Sequence, residues 1–268
     1  MMRSYVIKFK AQKETLLPAS NGYLLFSLLC GWVKDSPLND VFHAESNNEK
    51  KTVAVSFLRR ESQKNFIAED IRLHPGEACF ARISFIHDED GYRFLELMQH
   101  RRGEPVRIGL SVLQLEKILT QGEHKLALAL TPEELMPASP PSELGFSFVS
   151  PTGFKRNDRQ CFLPLPELVF GDLLRKWRRF VLPDAWEGLE TVLPHVEIRS
   201  YNLQSHAVKL RNDRVLRGFC GQTVYSLHDI VDEGRMALSA LAGFAFFTGV
   251  GYKTAQGMGE ALPFWQED

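Results

Sequence analysis

Histidine is the side chain best suited to exchange a proton near neutral pH, so the eight histidines are the first places to look for acid–base chemistry. His43, in the segment FHAESNNEKK, lies between a predicted helix and a predicted strand, beside a polar loop that ends in two lysines. His195 and His206 both flank strand-like segments close to a basic region. A lone histidine in such a place is usually an ordinary surface residue, so the local pattern alone favours none of the three.

A second candidate site is the glycine-rich segment GVGYKTAQGMGE, residues 249–260. Its lysine follows Tyr252, unlike the lysine of a P-loop, and Thr254 stands where a dinucleotide fingerprint requires glycine. Glycines permit positive φ and let a substrate backbone lie against exposed N–H groups, with Lys253 and Thr254 reaching phosphate oxygens. The alternative is a helix C-cap followed by tight turns.

Positive charge is concentrated in one part of the chain. The net charge of −1 argues against a general nucleic-acid binder. Residues 155–217, however, hold 12 Lys and Arg against 8 Asp and Glu, whereas residues 218–268 hold 2 against 6. The clusters FKRNDR, LLRKWRRF and VKLRNDRVLR are suited to hold a polyanion, although each alone is equally typical of a solvated face.

Composition narrows the remaining classes of protein. The four cysteines are scattered singly, so the sequence predicts neither a disulfide framework nor a zinc site. We expect no metal and no cofactor. No apolar run reaches the roughly 18 residues of a membrane span, and the N-terminus MMRSYVIKFK does not resemble a signal peptide. We therefore expect a soluble cytoplasmic protein that does not bind membranes.

The elements that must position these residues occur twice along the chain. The first half has a predicted strand at 5–10, a helix at 21–34, a strand at 51–58, a hairpin of strands 78–88 and 92–99 joined at DEDG, a helix at 111–119 and a strand at 124–130. A Pro- and Ser-rich stretch at 131–145 then resembles a linker.

The second half repeats the pattern. It has a predicted strand at 145–152, a helix at 165–180, strands at 195–204, 206–212 and 216–227, a helix at 235–249 and a strand at 259–265. The α+β fold class follows, with two tandem ferredoxin-like β-α-β-β-α-β domains. We expect these domains at 1–135 and 145–268, joined by a linker at 136–144.

The glycine-rich segment resembles the C-terminal signature G-x-G-x-x-T-x-x-G-x-G of the CRISPR-associated precursor-RNA processing endoribonucleases of the RAMP superfamily. The match holds at each fixed position from Gly249 to Gly259. The segments FSFVSPTGFKR, LPLPELVFGDLLRKW and GFCGQTVYSL are also similar to the second domain of that family. The resemblance covers the second half well and the first half loosely, and it too implies two ferredoxin-like domains.

The resemblance implies a prokaryotic enzyme that cleaves CRISPR repeat RNA without a metal. In that reaction a ribose 2′-OH attacks the adjacent phosphate and leaves a 2′,3′-cyclic phosphate and a 5′-OH. The partners implied are CRISPR repeat RNA and the guide RNA made from it. Contact with subunits of a CRISPR effector complex and formation of a homodimer stay open.

The resemblance also implies the catalytic residues. The family's histidine falls on His43, and its lysine falls best on Lys51, with Lys50 as an alternative. Some members use a tyrosine in the first helix, but the corresponding residue here is Cys30. We expect RNA to contact Gly249, Gly251, Lys253, Thr254, Gly257 and Gly259 of the glycine-rich segment, together with Lys155, Arg156, Arg175, Lys176, Arg178, Arg179, Arg199, Lys209 and Arg211.

Two other functions compete with the endoribonuclease. A non-catalytic RAMP subunit that holds guide RNA would share the fold and a glycine-rich loop, but the presence of both His43 and Lys51 favours the enzyme. A small-molecule nucleotide-binding enzyme is disfavoured because both nucleotide-binding motifs fail.

Overall fold

The computed structural model describes residues 1–43, 51–63, 66–156, 159–210 and 214–265. The chain forms two compact units. The first comprises Met1–Ala129, Lys209–Arg214 and Ala255–Gly257, and the second comprises Leu130–Val208, Val215–Thr254 and Met258–Asp268. The first unit therefore draws on three segments of the chain, and its main segment ends a few residues before the predicted linker.

The first unit is built around an antiparallel sheet. Its elements are β1 (Met2–Ala11), β2 (Thr15–Leu17), α1 (Gly22–Val33), α2 (Asn39–His43), β3 (Val53–Val55), β4 (Ile71–Leu73), β5 (Ala78–Phe85), α3 (Asp88–Gln99), β6 (Pro105–Ile108), β7 (Ser111–Leu119) and β8 (Ala129–Leu130). The strand order is β3-β5-β1-β7-β6, with β8 beside β1, while β2 and β4 pair separately.

Alternation along β1 defines the core of the first unit. Tyr5, Ile7 and Phe9 are all buried and pack in one hydrophobic cluster with Leu25 and Leu29 of α1. Leu25 and Leu29 lie one helical turn apart, so α1 presents one apolar row to the sheet. The aromatic side chains of the strands in this unit thus build the core.

Two predicted elements of the first unit are wrong. Residues 88–99 form the helix α3, because three acidic residues occupy its first turn and because Phe94 and Met98 recur on one buried face. Residues 111–119 form the strand β7, where Ser111, Leu113 and Leu115 are buried alternately. The predicted strand is therefore a helix and the predicted helix is a strand. The main elements of the first unit follow the ferredoxin-like order β1-α1-β3-β5-α3-β7.

The second unit follows its prediction more closely. Its elements are β9 (Glu143–Thr152), β10 (Phe154–Arg156), β11 (Arg159–Cys161), α4 (Pro166–Phe180), α5 (Leu189–Val192), β12 (Glu197–Lys209), β13 (Val215–Ser226), α6 (Asp232–Thr248) and β14 (Ala261–Trp265), with short 3-10 helices at Glu133–Leu135, Leu193–His195 and Thr254–Gln256. The sheet order is β12-β13-β9-β14. The two strands predicted within 195–212 are one continuous strand, β12.

Aromatic packing closes the core of the second unit. Phe146 of β9 lies 5.9 Å from Phe170 of α4 and 6.2 Å from Tyr225 of β13, measured between ring centroids. Trp177 of α4 meets Phe244 of α6 edge-on at 5.1 Å. The two helices therefore pack on the same side of the sheet, and the prediction of two ferredoxin-like folds is confirmed. Among the helices that the structure describes, none is long and apolar enough to cross a membrane.

Candidate active site and nucleic-acid interface

His43 lies at the last described position of α2 and is exposed to solvent. Its neighbour Phe42 is fully buried. The Phe42 ring stacks on Phe26 of α1, with centroids 5.9 Å apart and planes inclined by 18°, and lies 6.3 Å from Phe85 of β5. Because Phe42 is fixed in the core of the first unit, the backbone that carries His43 is held at a defined place on its surface.

Lys51 is brought to the same corner of the first unit. Its Nζ donates a hydrogen bond to the carbonyl oxygen of Phe42 and lies 4.5 Å from the centroid of the Phe26 ring. That carbonyl belongs to the peptide group between Phe42 and His43, so the ammonium stands beside the backbone of the candidate acid–base residue. The alternative lysine, Lys50, lies outside the residues that the structure describes.

Cys30 stands one helical turn after Phe26 on α1 and is half-buried. Burial raises the pKa of its thiol, although the nearby charge of Lys51 acts in the opposite direction. The thiol is therefore kept in its protonated form near neutral pH. Because residue 30 is a cysteine, no tyrosine hydroxyl reaches the candidate site from this position of α1.

The corner formed by His43, Lys51, Phe26, Phe42 and Cys30 has the parts of a general acid–base site with an electrophilic cation. An exposed imidazole can take or give a proton, and a fixed ammonium can stabilise negative charge that develops on a phosphate. Among the described residues, no group of three or more His, Cys, Asp or Glu side chains is arranged to hold a metal ion.

The rival histidines belong to the second unit. His195 is exposed at the end of a 3-10 helix, and His206 is half-buried on β12. Burial lowers the pKa of the His206 imidazole, which favours its neutral form. Neither histidine therefore belongs to the unit that contains Lys51.

The glycine-rich segment differs from its prediction. Gly249, Gly251 and Gly259 have φ of 64°, 79° and 74°, and a Cβ atom at Gly251 would stand 2.2 Å from the carbonyl oxygen of Gly153. A Cβ at Gly259 would stand 2.1 Å from the carbonyl oxygen of Val250. The backbone that approaches these glycines is thus the protein's own, which is a sufficient reason for glycine at these positions, and contact of the glycines with RNA stays a prediction.

Gly257 has the same kind of role within the first unit. Its φ is 95°, it forms a parallel bridge with Ser56, and a Cβ there would stand 3.0 Å from the ring of Phe57. Thr254 begins the 3-10 turn that precedes it. Of the six residues predicted to bind RNA in this segment, Lys253 is the one with an exposed side chain.

A buried ion pair on α4 holds the start of the glycine-rich segment. Asp172 Oδ2 accepts a hydrogen bond from the Gly251 amide at 2.9 Å, and Lys176 Nζ donates to the Gly249 carbonyl at 2.7 Å. The two charged groups lie 2.8 Å apart, and both side chains are 5% exposed. Lys176 was predicted to contact RNA; in the structure it is buried beside a carboxylate and fixes the loop, and its contact with RNA stays a prediction.

The other residues predicted to bind RNA through positive charge differ in their partners and in their exposure to solvent. Arg178 donates to the carbonyls of Ala185 and Trp186 and pairs with Glu190, whose pKa it lowers. Arg199 pairs with the buried carboxylate of Glu143. Arg199 is nonetheless exposed, as are Lys155, Arg156, Arg175, Arg179 and Lys209, and Arg175 lies 3.6 Å from Asp172. Arg211 lies outside the described residues.

One basic surface of the second unit was only partly predicted. A shallow cleft on the β10–β11 hairpin is lined by Arg156, Arg159, Gln160 and Cys161. Lys155 lies opposite Gln160 in the register of the two strands. Arg159 ends the FKRNDR cluster but was not among the residues predicted to bind RNA, and the pairing of β10 with β11 brings it directly opposite Arg156.

Comparison with known proteins shows similarity to one family of endoribonucleases. Residues 146–261 match the family model of the CRISPR-associated endoribonuclease Cas6. A Streptococcus thermophilus protein described as CRISPR-associated endoribonuclease Cas6 is 28% identical over 183 residues, which cover 64% of this chain and 69% of that protein. A Cas6 product complex is 26% identical, with a TM-score of 0.79, and covers 98% of this chain and 99% of its own. These similarities support the assignment of the chain to the Cas6 family of CRISPR-associated endoribonucleases.

Similarity to Cas6 extends to the first unit. Thermus thermophilus Cas6 is 26% identical, with a TM-score of 0.75, and covers 98% of this chain and 98% of its own. The family model contains the glycine-rich segment and α4 but neither His43 nor Lys51. The similarity to Cas6 thus confirms the predicted resemblance to an endoribonuclease family. The roles proposed for His43 and Lys51 rest instead on the contacts of these residues in the structure.

Proposed function

We propose that this Cas6 protein cleaves repeat RNA in a CRISPR precursor transcript by transesterification without a metal ion. The 2′-oxygen upstream of the cut attacks the adjacent phosphorus, the bond to the 5′-oxygen breaks, and the products carry a 2′,3′-cyclic phosphate and a 5′-OH. The 2′-OH loses a proton in this reaction and the leaving 5′-oxygen gains one. His43 performs one of these two transfers.

The hydrogen bond between Lys51 and the Phe42 carbonyl carries the proposal. It places a cation beside the backbone of His43, although seven residues of the sequence separate the two side chains. Lys51 then stabilises the extra negative charge that develops on the phosphate in the transition state. A site that only binds RNA would need the cation but would have no use for a proton-exchanging group next to it.

The first domain carries the catalytic residues in this proposal, and the second supplies most of the RNA-binding surface. The exposed cations Arg175 and Arg179 lie four residues apart on one row of α4. The β10–β11 hairpin adds Lys155 and Arg156, and the glycine-rich segment adds Lys253. Such cations contact phosphates and hold the RNA without reading its sequence.

Cleavage in the presence of a chelator tests the proposed function. Purified protein is incubated with the repeat RNA encoded beside its gene, in excess EDTA and in parallel with Mg²⁺. We expect equal cleavage in both, and a cyclic phosphate on the upstream product by mass spectrometry. An RNA with a single 2′-deoxy nucleotide upstream of the cut should bind and stay intact, because the nucleophile is absent. Dependence on Mg²⁺ with 3′-OH products would reject the mechanism.

A non-catalytic subunit that holds guide RNA is the alternative, and the Cys30 thiol in place of a phenol is the observation that favours it. Tight binding of the repeat RNA without cleavage of the all-ribose substrate would establish that alternative.

We further propose that the enzyme keeps the processed RNA and delivers it to an effector complex. Sedimentation with and without RNA would reveal a homodimer.

A further inference from the structure

The ammonium of Lys51 needs partners that keep it in place, because lysine has a flexible stem of four carbons. One partner is the Phe42 carbonyl, and another is the face of the Phe26 ring, 4.5 Å from Nζ. Phe26 in turn is stacked on Phe42. Lys51, Phe26 and Phe42 thus form a closed triangle in which each residue touches the other two.

We infer that Phe26 is a positioning residue, which holds the Lys51 ammonium beside His43 through its ring face. The inference rests on the proposed function, because the ring acts on the reaction only through Lys51. An aromatic face attracts a cation through its quadrupole and leaves the positive charge in place. A carboxylate in the same position would hold the ammonium equally well but would cancel the charge that the phosphate requires.

The backbone around Phe26 is suited to this role. Phe26 is half-buried on α1, and its helical neighbours Leu25 and Leu29 are fully buried in the core of the first unit. The ring is therefore carried by a rigid element and is further fixed by the parallel Phe42 ring. Neither the charge pattern nor the spacing of the sequence marks Phe26, because an apolar residue on a buried helix is ordinarily a core residue.

Replacement of the ring tests the inference. Phe26→Leu keeps an apolar side chain but removes the π face, and we expect single-turnover cleavage to slow by roughly 3- to 10-fold, as removal of one cation–π interaction implies. Phe26→Tyr retains the face and should cleave at close to the wild-type rate. If Phe26→Leu proves unstable, a fluorinated phenylalanine at position 26 weakens the ring potential with little change of shape, and it should slow cleavage in proportion to fluorination.

Trp32→Leu is the matched control. Trp32 is a half-buried aromatic residue of the same helix, it lies 5.8 Å from the guanidinium of Arg101, and it stands about 120° around α1 from Phe26. Its replacement removes a comparable ring and a comparable cation–π interaction without touching Lys51. We expect wild-type cleavage from the folded Trp32→Leu variant.

A double-mutant cycle separates positioning from packing. In a Lys51→Ala background, Phe26→Leu should cause no further slowing, because the ring has no ammonium left to hold. Equal slowing in both backgrounds would assign the ring to packing and overturn the inference. Wild-type cleavage by Phe26→Leu beside slow cleavage by Lys51→Ala would overturn it too, while leaving the proposed function intact. Wild-type cleavage by Lys51→Ala would instead remove the proposed role of the lysine itself.

Discussion

The candidate active site of the first unit and the glycines Gly249, Gly251 and Gly259 of the second unit are built in opposite ways. His43 is an exposed side chain whose position depends on a buried neighbour and on a lysine from a different part of the chain. Gly249, Gly251 and Gly259, by contrast, are enclosed by the protein's own backbone and by a buried ion pair. The first arrangement leaves a reactive group accessible, and the second encloses the glycine backbone while the Lys253 side chain stays exposed.

This difference explains why the glycine-rich motif is easier to recognise in the sequence than the candidate active site. A tightly folded loop needs glycine at several fixed positions, because positive φ and close backbone approach exclude other residues. A recognisable pattern results. An acid–base site needs one residue type at one position, and its activity depends on neighbours that are distant in sequence. Specific motifs can therefore mark architecture, while chemistry is carried by residues with little local signal.

The largest expected effect concerns His43, the exposed residue of the candidate active site. His43→Ala should slow single-turnover cleavage of repeat RNA by roughly 10²- to 10⁴-fold, because the reaction loses a positioned acid or base. The dissociation constant for the repeat should change little, since the imidazole is not a main source of affinity. His195→Ala and His206→Ala serve as controls. If either of these is inactive while His43→Ala cleaves normally, the active site lies in the second unit.

The next largest effect concerns the buried ion pair between Asp172 and Lys176. Asp172→Asn retains an oxygen for the Gly251 amide but leaves the Lys176 ammonium buried without its carboxylate. We expect the free energy of unfolding to fall by about 3 to 5 kcal/mol, measured by urea denaturation. The double variant Asp172→Asn/Lys176→Met should recover part of that stability, because no buried charge is left. Additive effects would show that the two groups do not act as a pair.

A third prediction compares two glycines of the second unit with nearly the same positive φ. Gly251 and Gly188 have φ of 79° and 80°, but a Cβ atom at Gly188 would meet no atom within 4 Å. Gly188→Ala should cost about 1 to 2 kcal/mol of unfolding free energy through backbone strain alone. Gly251→Ala adds the clash with Gly153 and should cost about 3 kcal/mol or more. Equal costs would mean that the loop around Gly251 yields easily to a side chain.

The smallest expected effect concerns the exposed cations of α4. Arg175→Ala/Arg179→Ala should weaken repeat binding and reduce the slope of log affinity against log salt by roughly 0.7 to 0.9 for each phosphate that the variant no longer neutralises. Filter binding over a salt series measures this slope. Arg93→Ala, an exposed arginine of α3 in the first unit, is the control for a general decrease in positive charge. An unchanged slope would indicate that the α4 cations form an ordinary solvated face.

The sequence predicted the second unit better than the first for a physical reason. In α4 and β9, hydrophobic periodicity and flanking prolines point to the same structure. In residues 88–99 the Asp-Gly pair suggests a turn while the spacing of Phe94 and Met98 suggests a helix, and core packing settles the conflict.

For the candidate site, His43 and Lys51 could be proposed from sequence. Asp172 could have been suspected, because it stands four residues before Lys176 on a helix. Phe26 could not, because its partner is identified only by the folded chain.

The three-segment composition of the first unit has a consequence for how the protein is made. Ala255 belongs to the hydrophobic core of that unit, and Gly257 pairs with Ser56. During translation, the ribosome must therefore synthesise the chain at least to residue 257 before the first unit has all its parts. A fragment that stops at Ala129 would lack a core residue and a bridge, and should be recovered as a less stable species. The first unit, although the chain begins with it, is thus completed only shortly before the second, whose last segment is Met258–Asp268.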